Sequence, residues 1–206
     1  MFRKRLCFSK KGNLKFIGHL DFLRIFGEMI SRSRLPVSYS VGFNPHILLS
    51  FALPLPLGFE SENDYADLVF DMDLSSEEVV SGLNGAAPGG LVIKAVYEAT
   101  DKCASVVAMA DYSVKINEDV QSHIEKVLAR ETIIIPKKTK SGVKNTDIRQ
   151  DIISVEPIND EVHMRLSAGS ARFLHPIMAA EAIFGYKLSP IGFTRLDMYK
   201  GNAVKL

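Results

Sequence analysis

The feature that most restricts how this chain can fold is an order of elements that occurs twice. Leu6 and Phe8 alternate with Arg5 and Cys7, the period of a half-buried strand, so Arg3–Ser9 is a predicted strand. Lys10-Lys-Gly-Asn13 reads as a turn. Leu20–Arg34 follows as a helix in which Leu20, Leu23, Phe26 or Gly27, and Ile30 share a face. Asp21 in its first turn and Arg32 and Arg34 in its last suit the helix dipole. Arg24 and Glu28 are spaced as an i,i+4 pair, and Pro36 stops the helix. His46–Leu53 and Asp64–Met72 are the next strands, the second with Ala66, Leu68, Phe70 and Met72 on one face. Ser75 and Glu78 form a capping box for a helix from Ser76 to about Asn84, and Leu91–Tyr97 is a fourth strand. This order, β-α-β-β-α-β, is the split motif of ferredoxin-like folds.

The second half repeats it. Asp111–Ile116 is a strand and Glu118–Ala129 a helix. Thr132–Lys137, Ile148–Val155 and Val162–Ala168 are strands, His175–Phe184 is a helix and Phe193–Tyr199 a final strand. An extra strand falls around Lys144–Val155. The predicted class is therefore α+β, with two tandem ferredoxin-like (βαββαβ) units: residues 1–100, a junction over 101–110 with room for a short helical turn, and residues 111–200 with an inserted basic hairpin. Residues 201–206 are expected to fray.

Composition narrows the functional classes. A formal net charge of +1 means that any contact with nucleic acid must rest on local patches. Cys7 and Cys103 form no Cys-x-x-Cys pair and no zinc or iron–sulfur spacing, which predicts a reduced cytosolic protein without a metal or other cofactor. The first ten residues lack the apolar core of a signal peptide, and no apolar run approaches the ~20 residues that span a bilayer.

Three places carry groups that a plain scaffold does not need. The run Tyr39-Ser-Val-Gly-Phe-Asn-Pro-His46 combines turn chemistry at Gly42, Asn44 and Pro45 with the stacking and hydrogen-bonding groups of Tyr39, Phe43 and His46. The N-terminal cations Arg3, Lys4, Arg5, Lys10, Lys11 and Lys15 precede the first acidic residue, Asp21. Of these, Arg3 and Arg5 are expected to pair across the sheet with Asp67 and Asp71, while Lys10, Lys11 and Lys15 stay free for a ligand. A basic hairpin over Lys137–Thr146 turns at Gly142 and carries Lys137, Lys138 and Lys140, with Arg149 just behind. Such a hairpin suits either a nucleic-acid backbone or plain solvent.

His19 and His46 could form an acid–base pair, but a 15-residue helix about 22 Å long separates them. The expectation is that His19 caps its helix or binds a ligand alone, and that His46 orders its own loop. His123, His163 and His175 read as surface or cap residues. Phosphate loops, Gly-x-Ser-x-Gly and His-Glu-x-x-His are absent.

The chain resembles the radical-SAM-linked family, a domain of unknown function found fused to or beside B12-binding radical SAM proteins. The resemblance rests on Phe8-Ser-Lys-Lys-Gly12, Phe16 with His19-Leu-Asp21, Leu35-Pro36, Tyr39-Ser40, Gly42-Phe-Asn-Pro-His46 and Ser50-Phe-Ala-Leu-Pro-Leu-Pro-Leu-Gly58. It continues through Glu60-Ser61, Lys137 to Lys140, Asp147-Ile-Arg149, Ala168-Gly-Ser170 and Thr194-Arg195. Gly18 departs from the usual Ser, and Ile47-Leu48 from the usual Pro and basic residue, which removes a positive charge beside His46. The resemblance implies a radical SAM partner. This chain lacks the three-cysteine cluster motif and looks like a detached accessory half. The ribosomal-protein and ribonuclease neighbourhood of the family implies RNA. The layout is similar to CRISPR repeat-processing endoribonucleases in fold only, without their Gly-rich loop.

The resulting expectation is an accessory RNA-recognition protein, with tRNA or rRNA as ligand, that is not catalytic by itself. Its expected contacts are Lys10, Lys11, Lys15, His19, Arg24, Tyr39, Phe43, Asn44, His46, Lys137, Lys138, Lys140 and Arg149. The alternatives are a metal-independent ribonuclease using His19 or His46, and a protein-only scaffold docking through Ile47–Leu57.

Overall fold

The protein was analysed as a computed structural model that describes residues 1–116, 120–139 and 142–206, with the side chains of residues 138 and 139 outside the description. It is a mixed α+β structure with one large mixed sheet and five helices among the described residues. The first half contains β1 (Phe2–Lys10), α1 (His19–Ser33), β2 (Leu49–Phe51), β3 (Glu60–Phe70), α2 (Ser76–Ala86) and β4 (Leu91–Glu98). A short α3 (Cys103–Val106) leads into β5 (Val107–Lys115), α4 (Gln121–Leu128) and a separate hairpin of β6 (Ile134–Thr139) and β7 (Gly142–Asp147). β8 (Ile152–Ile158), β9 (Glu161–Ser167), α5 (Pro176–Phe184) and β10 (Phe193–Lys200) complete the chain.

The strand order is β4-β1-β3-β10-β5-β9-β8, with β2 added to β3. Within each half all pairings are antiparallel. The halves meet where β10 runs parallel to β3, at Thr194↔Glu60 and Arg195↔Ser61. Strand β3 is long enough to take β10 beside its first residues and β2 beside Ala66–Leu68.

Two cores follow from the sequence pattern. On one face of the first half, Leu6, Phe8, Leu68, Phe70 and Ile93 receive Phe22, Phe26, Met29 and Ile30 of α1 and Val79 and Leu83 of α2. The capping box forms as the sequence predicts, with Glu78 N–H donating to Ser75 Oγ at 3.2 Å and Ser75 N–H to Glu78 at 2.7 Å. The second core unites the other half with Cys7 and Tyr65, from the opposite face of β1 and β3, and with Cys103 of α3.

Several expectations are corrected. The buried stripe of α1 begins at Phe22, and Leu20 is 72% exposed, because the aromatic cluster of Phe8, Phe22, Phe26 and Phe51 fixes the helix rotation. Strand β2 keeps only Leu49–Phe51 of His46–Leu53, since the chain before it folds into a loop and Pro54 and Pro56 behind it have no N–H for a ladder. Strand β3 starts at Glu60 and leaves Met72 exposed. The predicted start of the fourth helix at Glu118 lies outside the described residues. Residues 201–206 are not frayed: Leu206 is buried, its N–H donates to Met198 at 3.1 Å, and Lys205 pairs with Asp197 at 2.6 Å.

Buried charge is concentrated at the seam. Arg195 of β10 is fully buried and donates to Asp64 of β3 at 2.7 Å, and to the carbonyls of Leu53 at 3.0 Å and Pro54 at 3.4 Å. Tyr65 O–H donates to Asp197 across the same seam at 2.7 Å. Arg5 pairs with Asp67 as expected, at 2.8 Å, and also with Asp101. Arg3 does not pair with Asp71, because it sits opposite Val69 and Asp71 accepts instead from Ser38 Oγ at 2.6 Å.

Truncating the buried guanidinium in Arg195→Met leaves Asp64 without its counter-charge, so a loss of about 3–5 kcal/mol is expected in urea unfolding. Adding Asp64→Leu to that variant restores most of the loss.

Candidate functional site

The N-terminal lysines do not form the free strip that the sequence suggests. Lys10 is the last residue of β1 and is only 2% exposed. Its ammonium donates to the Ile17 carbonyl at 3.1 Å and lies 4.6 Å from the Phe22 ring centre. Lys11 pairs with Glu62 at 2.6 Å and Lys15 with Glu60 at 3.1 Å. The cause is register: Lys10 stands opposite Ser61, which brings the acids at the start of β3 alongside. Arg149 is also spent internally, donating to the carbonyls of Leu128 at 3.2 Å and Ile152 at 3.4 Å.

The Tyr39–His46 run becomes a closed, projecting loop. Ser40 N–H donates to the His46 carbonyl at 2.8 Å, His46 N–H donates to Ser40 Oγ at 3.1 Å, and His46 Nδ1 lies 2.8 Å from that oxygen. A bridge between Tyr39 and Ile47 continues the clasp. Within it Gly42 takes φ +141°, a conformation that favours glycine, and Val41 and Phe43 project fully into solvent. Tyr39 and Asn44 are exposed beside them.

Concavities flank the loop and share Ile47 as their divide. One, of about 350 Å³, is lined by Arg3, His46, Leu48, Ser50, Val69 and Lys102, with Asp67 at its floor already committed to Arg5. The other, of about 510 Å³, is lined by Arg24, Gly27, Glu28, Ser31 and Arg32 of α1. Arg24 pairs with Asp21 at 3.2 Å rather than with Glu28, in an exposed contact of little strength. Arg3 and Lys102 have no ion pair among the described residues. Sequence reasoning missed Arg3, Arg32 and Lys102 as site residues. The spacing Arg24, Glu28, Arg32 on one helix face was the available signal for the second.

The hairpin holds Lys137 directly opposite Lys144, both exposed. Like charges so placed repel. Asp147 is turned to the hairpin base, where it accepts from Ile133 N–H at 2.9 Å and Arg149 N–H at 3.0 Å; these bonds hold its carboxyl below the ordinary range. The side chain of Lys138 and the whole of Lys140 lie outside the described residues.

His19 and His46 do not meet in one cavity. His19, the first residue of α1, makes no capping bond; its ring stands edge-on to Phe51 with centroids 5.9 Å apart. With Lys10, Phe22, Phe51, Leu53, Pro54, Leu55 and Asp64 it lines a separate crevice. Burial, then the charge of Lys10, hold the His19 pKa below its ordinary value, and burial does the same to His175. No cluster of metal-ligating groups occurs among the described residues, and no described helix is long and apolar enough to cross a membrane.

A model of a family described as an uncharacterised protein conserved in bacteria (DUF2344) matches residues 3–176. The chain belongs to this family. The DUF2344 match takes in the loop, both flanking concavities and the hairpin. A search of curated proteins gives no match.

Because the folded-state pKa of His19 is the lower one, the unfolded chain takes up the proton first as pH falls. The His19 contribution is therefore full above about pH 6.5 and is lost below it, with His175 acting in the same sense. Urea unfolding between pH 8 and 5 is expected to show this decline, and His19→Asn to make it shallower. In the loop, Ser40→Ala removes the clasp oxygen, at a cost of about 1 kcal/mol. Amide exchange at His46 is then expected to quicken about fivefold.

Proposed function

We propose that this DUF2344 protein is an accessory RNA-recognition protein that presents the Tyr39–His46 loop to single-stranded RNA, such as tRNA or rRNA loops, on behalf of a radical SAM enzyme. The observation that carries this reading is Phe43. Its ring is fully exposed on a clasped loop whose end, at His46–Ile47, borders two concavities, one carrying Arg3 and Lys102 and the other Arg24 and Arg32. An exposed aromatic near cations is the arrangement that binds an unpaired strand: the ring stacks on a base and the cations hold the phosphates. Lys137 and Lys144, which repel each other across the hairpin, add a second basic element that an anionic strand relieves.

The remaining parts of the reading have their own support. The orders β4-β1-β3-β2 and β10-β5-β9-β8 fit two ferredoxin-like units, over residues 1–100 and 111–200, with α3 in the junction. The blocks Gly42–His46 and Ser50–Gly58 resemble radical-SAM-linked proteins. Burial pushes the Cys7 thiol up to about 11 and Cys103 up to about 12, away from the reactive thiolate form, and the radical chemistry is assigned to the partner. Both buried, unpaired thiols suit a cytoplasmic protein. The partner enzyme docks on the exposed apolar groups Phe16 and Leu57, brought together where Gly58 N–H donates to the Lys15 carbonyl at 2.8 Å.

Fluorescence anisotropy with a single-stranded RNA 12-mer tests the reading. Phe43→Ala is expected to weaken binding by ~1–3 kcal/mol with little change in salt dependence. Arg3→Gln combined with Lys102→Gln is expected to reduce the slope of log K against log salt by about 1.4. Failure of the wild type to bind, or wild-type affinity in Phe43→Ala, overturns it.

A further inference from the structure

We propose that the mouth of the crevice beneath Leu53–Leu55 is a phosphate-binding site, with His19 as a ligand and the buried charge of Lys10 behind it. The observation is an imbalance of buried charge. Lys4, Arg5, Lys10 and Arg195 are the buried cations among the described residues. Lys4 has Asp73 and Glu98, Arg5 has Asp67 and Asp101, and Arg195 has Asp64. Lys10 alone has no carboxylate in contact: its acceptors are the Ile17 carbonyl and the face of Phe22. A buried ammonium without a counter-ion is costly, and an anion from outside the chain removes that cost.

The surroundings select the anion and where it sits. Asp64, the acid that lines the crevice, is bound by Arg195 at 2.7 Å, which leaves the cluster one positive charge in excess. Glu60 is taken by Lys15, and Asp21, in the first turn of α1, is exposed and screened by solvent. The crevice itself has a volume of about 10 Å³, room for a single water, so a larger anion seats at its mouth. Half-exposed His19 stands there at the start of the 15-residue α1, where no side chain caps the first turn. The first-turn N–H groups and the positive end of the helix dipole add donors of the right kind. A tetrahedral oxyanion at the mouth accepts from the imidazole and these N–H groups, while the Lys10 ammonium, 2% exposed behind it, acts through its charge. The site stands independently of the RNA reading: a terminal phosphate monoester and a backbone phosphodiester supply the same group.

The test is an NMR titration of the His19 ring in the full-length protein, with inorganic phosphate as the probe at constant ionic strength. A phosphate beside the ring favours the imidazolium, so the His19 midpoint is expected to rise saturably, by about one pH unit. Chloride at equal ionic strength is expected to leave it unchanged. Lys10→Met is expected to abolish the phosphate-dependent rise and Lys10→Arg to keep it; the wild-type titration decides the matter by itself if Lys10→Met does not fold. Single-stranded oligonucleotides with a 5′-hydroxyl or a 5′-phosphate then identify the source. A rise with both indicates the backbone, a rise with the phosphorylated form alone indicates a chain end, and a rise with inorganic phosphate alone indicates a small ligand. A midpoint unmoved by any of the three, or an undiminished rise in folded Lys10→Met, overturns the site whatever the fate of RNA binding at Phe43.

Discussion

The contact between Arg195 and Asp64 is the constraint on which the rest of this structure depends. It joins the last strand of the chain to the third across the narrow parallel pairing that unites the two halves. The same guanidinium binds the carbonyls of Leu53 and Pro54, so it also pulls the proline-rich segment down onto the sheet. That segment forms the roof over Lys10 and His19. One fully buried cation therefore sets the relation of the halves and the shape of a crevice at the same time. An ion pair of this kind adds little net stability compared with apolar packing, but loss of one member is severe. Its value here is geometric: it fixes which residues of β10 meet β3.

The same principle separates the two kinds of cation in the protein. Where a lysine or arginine falls on β1 or in the turn just after it, beside acids of β3, it is neutralised within the fold, as with Arg5, Lys11 and Lys15. Where it falls on the rim of a concavity, as with Arg3 and Lys102, it has no such partner among the described residues. Lys10 belongs to neither group, since it is inside and has no carboxylate in contact. The loop tip adds contrast of another sort: residues 41–46 are exposed, yet the Ser40–His46 clasp defines their path.

Much of the architecture was legible in the sequence because it is local. The strand at Arg5–Phe8, the Ser75–Glu78 box and the turn residues of the Tyr39–His46 run act over a few positions, and each appears where the sequence indicates, although β1 is buried on both faces and not half-buried, because Arg5 and Lys4 are covered by their acidic partners. The partners of charged groups were not legible, because they depend on register between strands distant in the chain. Lys10 looks like a turn residue until its pairing with Ser61 carries it inside. Leu20 fits an apolar stripe, but the cluster around Phe51 rotates the helix so that Phe22 takes its place. The tail escaped notice for a related reason: Leu206 is a single apolar residue, and its buried position exists only once β10 is laid down.

The strand order places β4 and β8 at the two ends of the sheet. Both outermost strands carry features that discourage recruitment of a second copy. β4 bears Lys94, which reaches Glu62 at 3.4 Å, and β8 contains Pro157, which has no N–H to offer a new neighbour. A long twisted sheet assembled from two halves would otherwise be a template for open-ended polymerisation. The charge and the missing donor at its borders act against such growth.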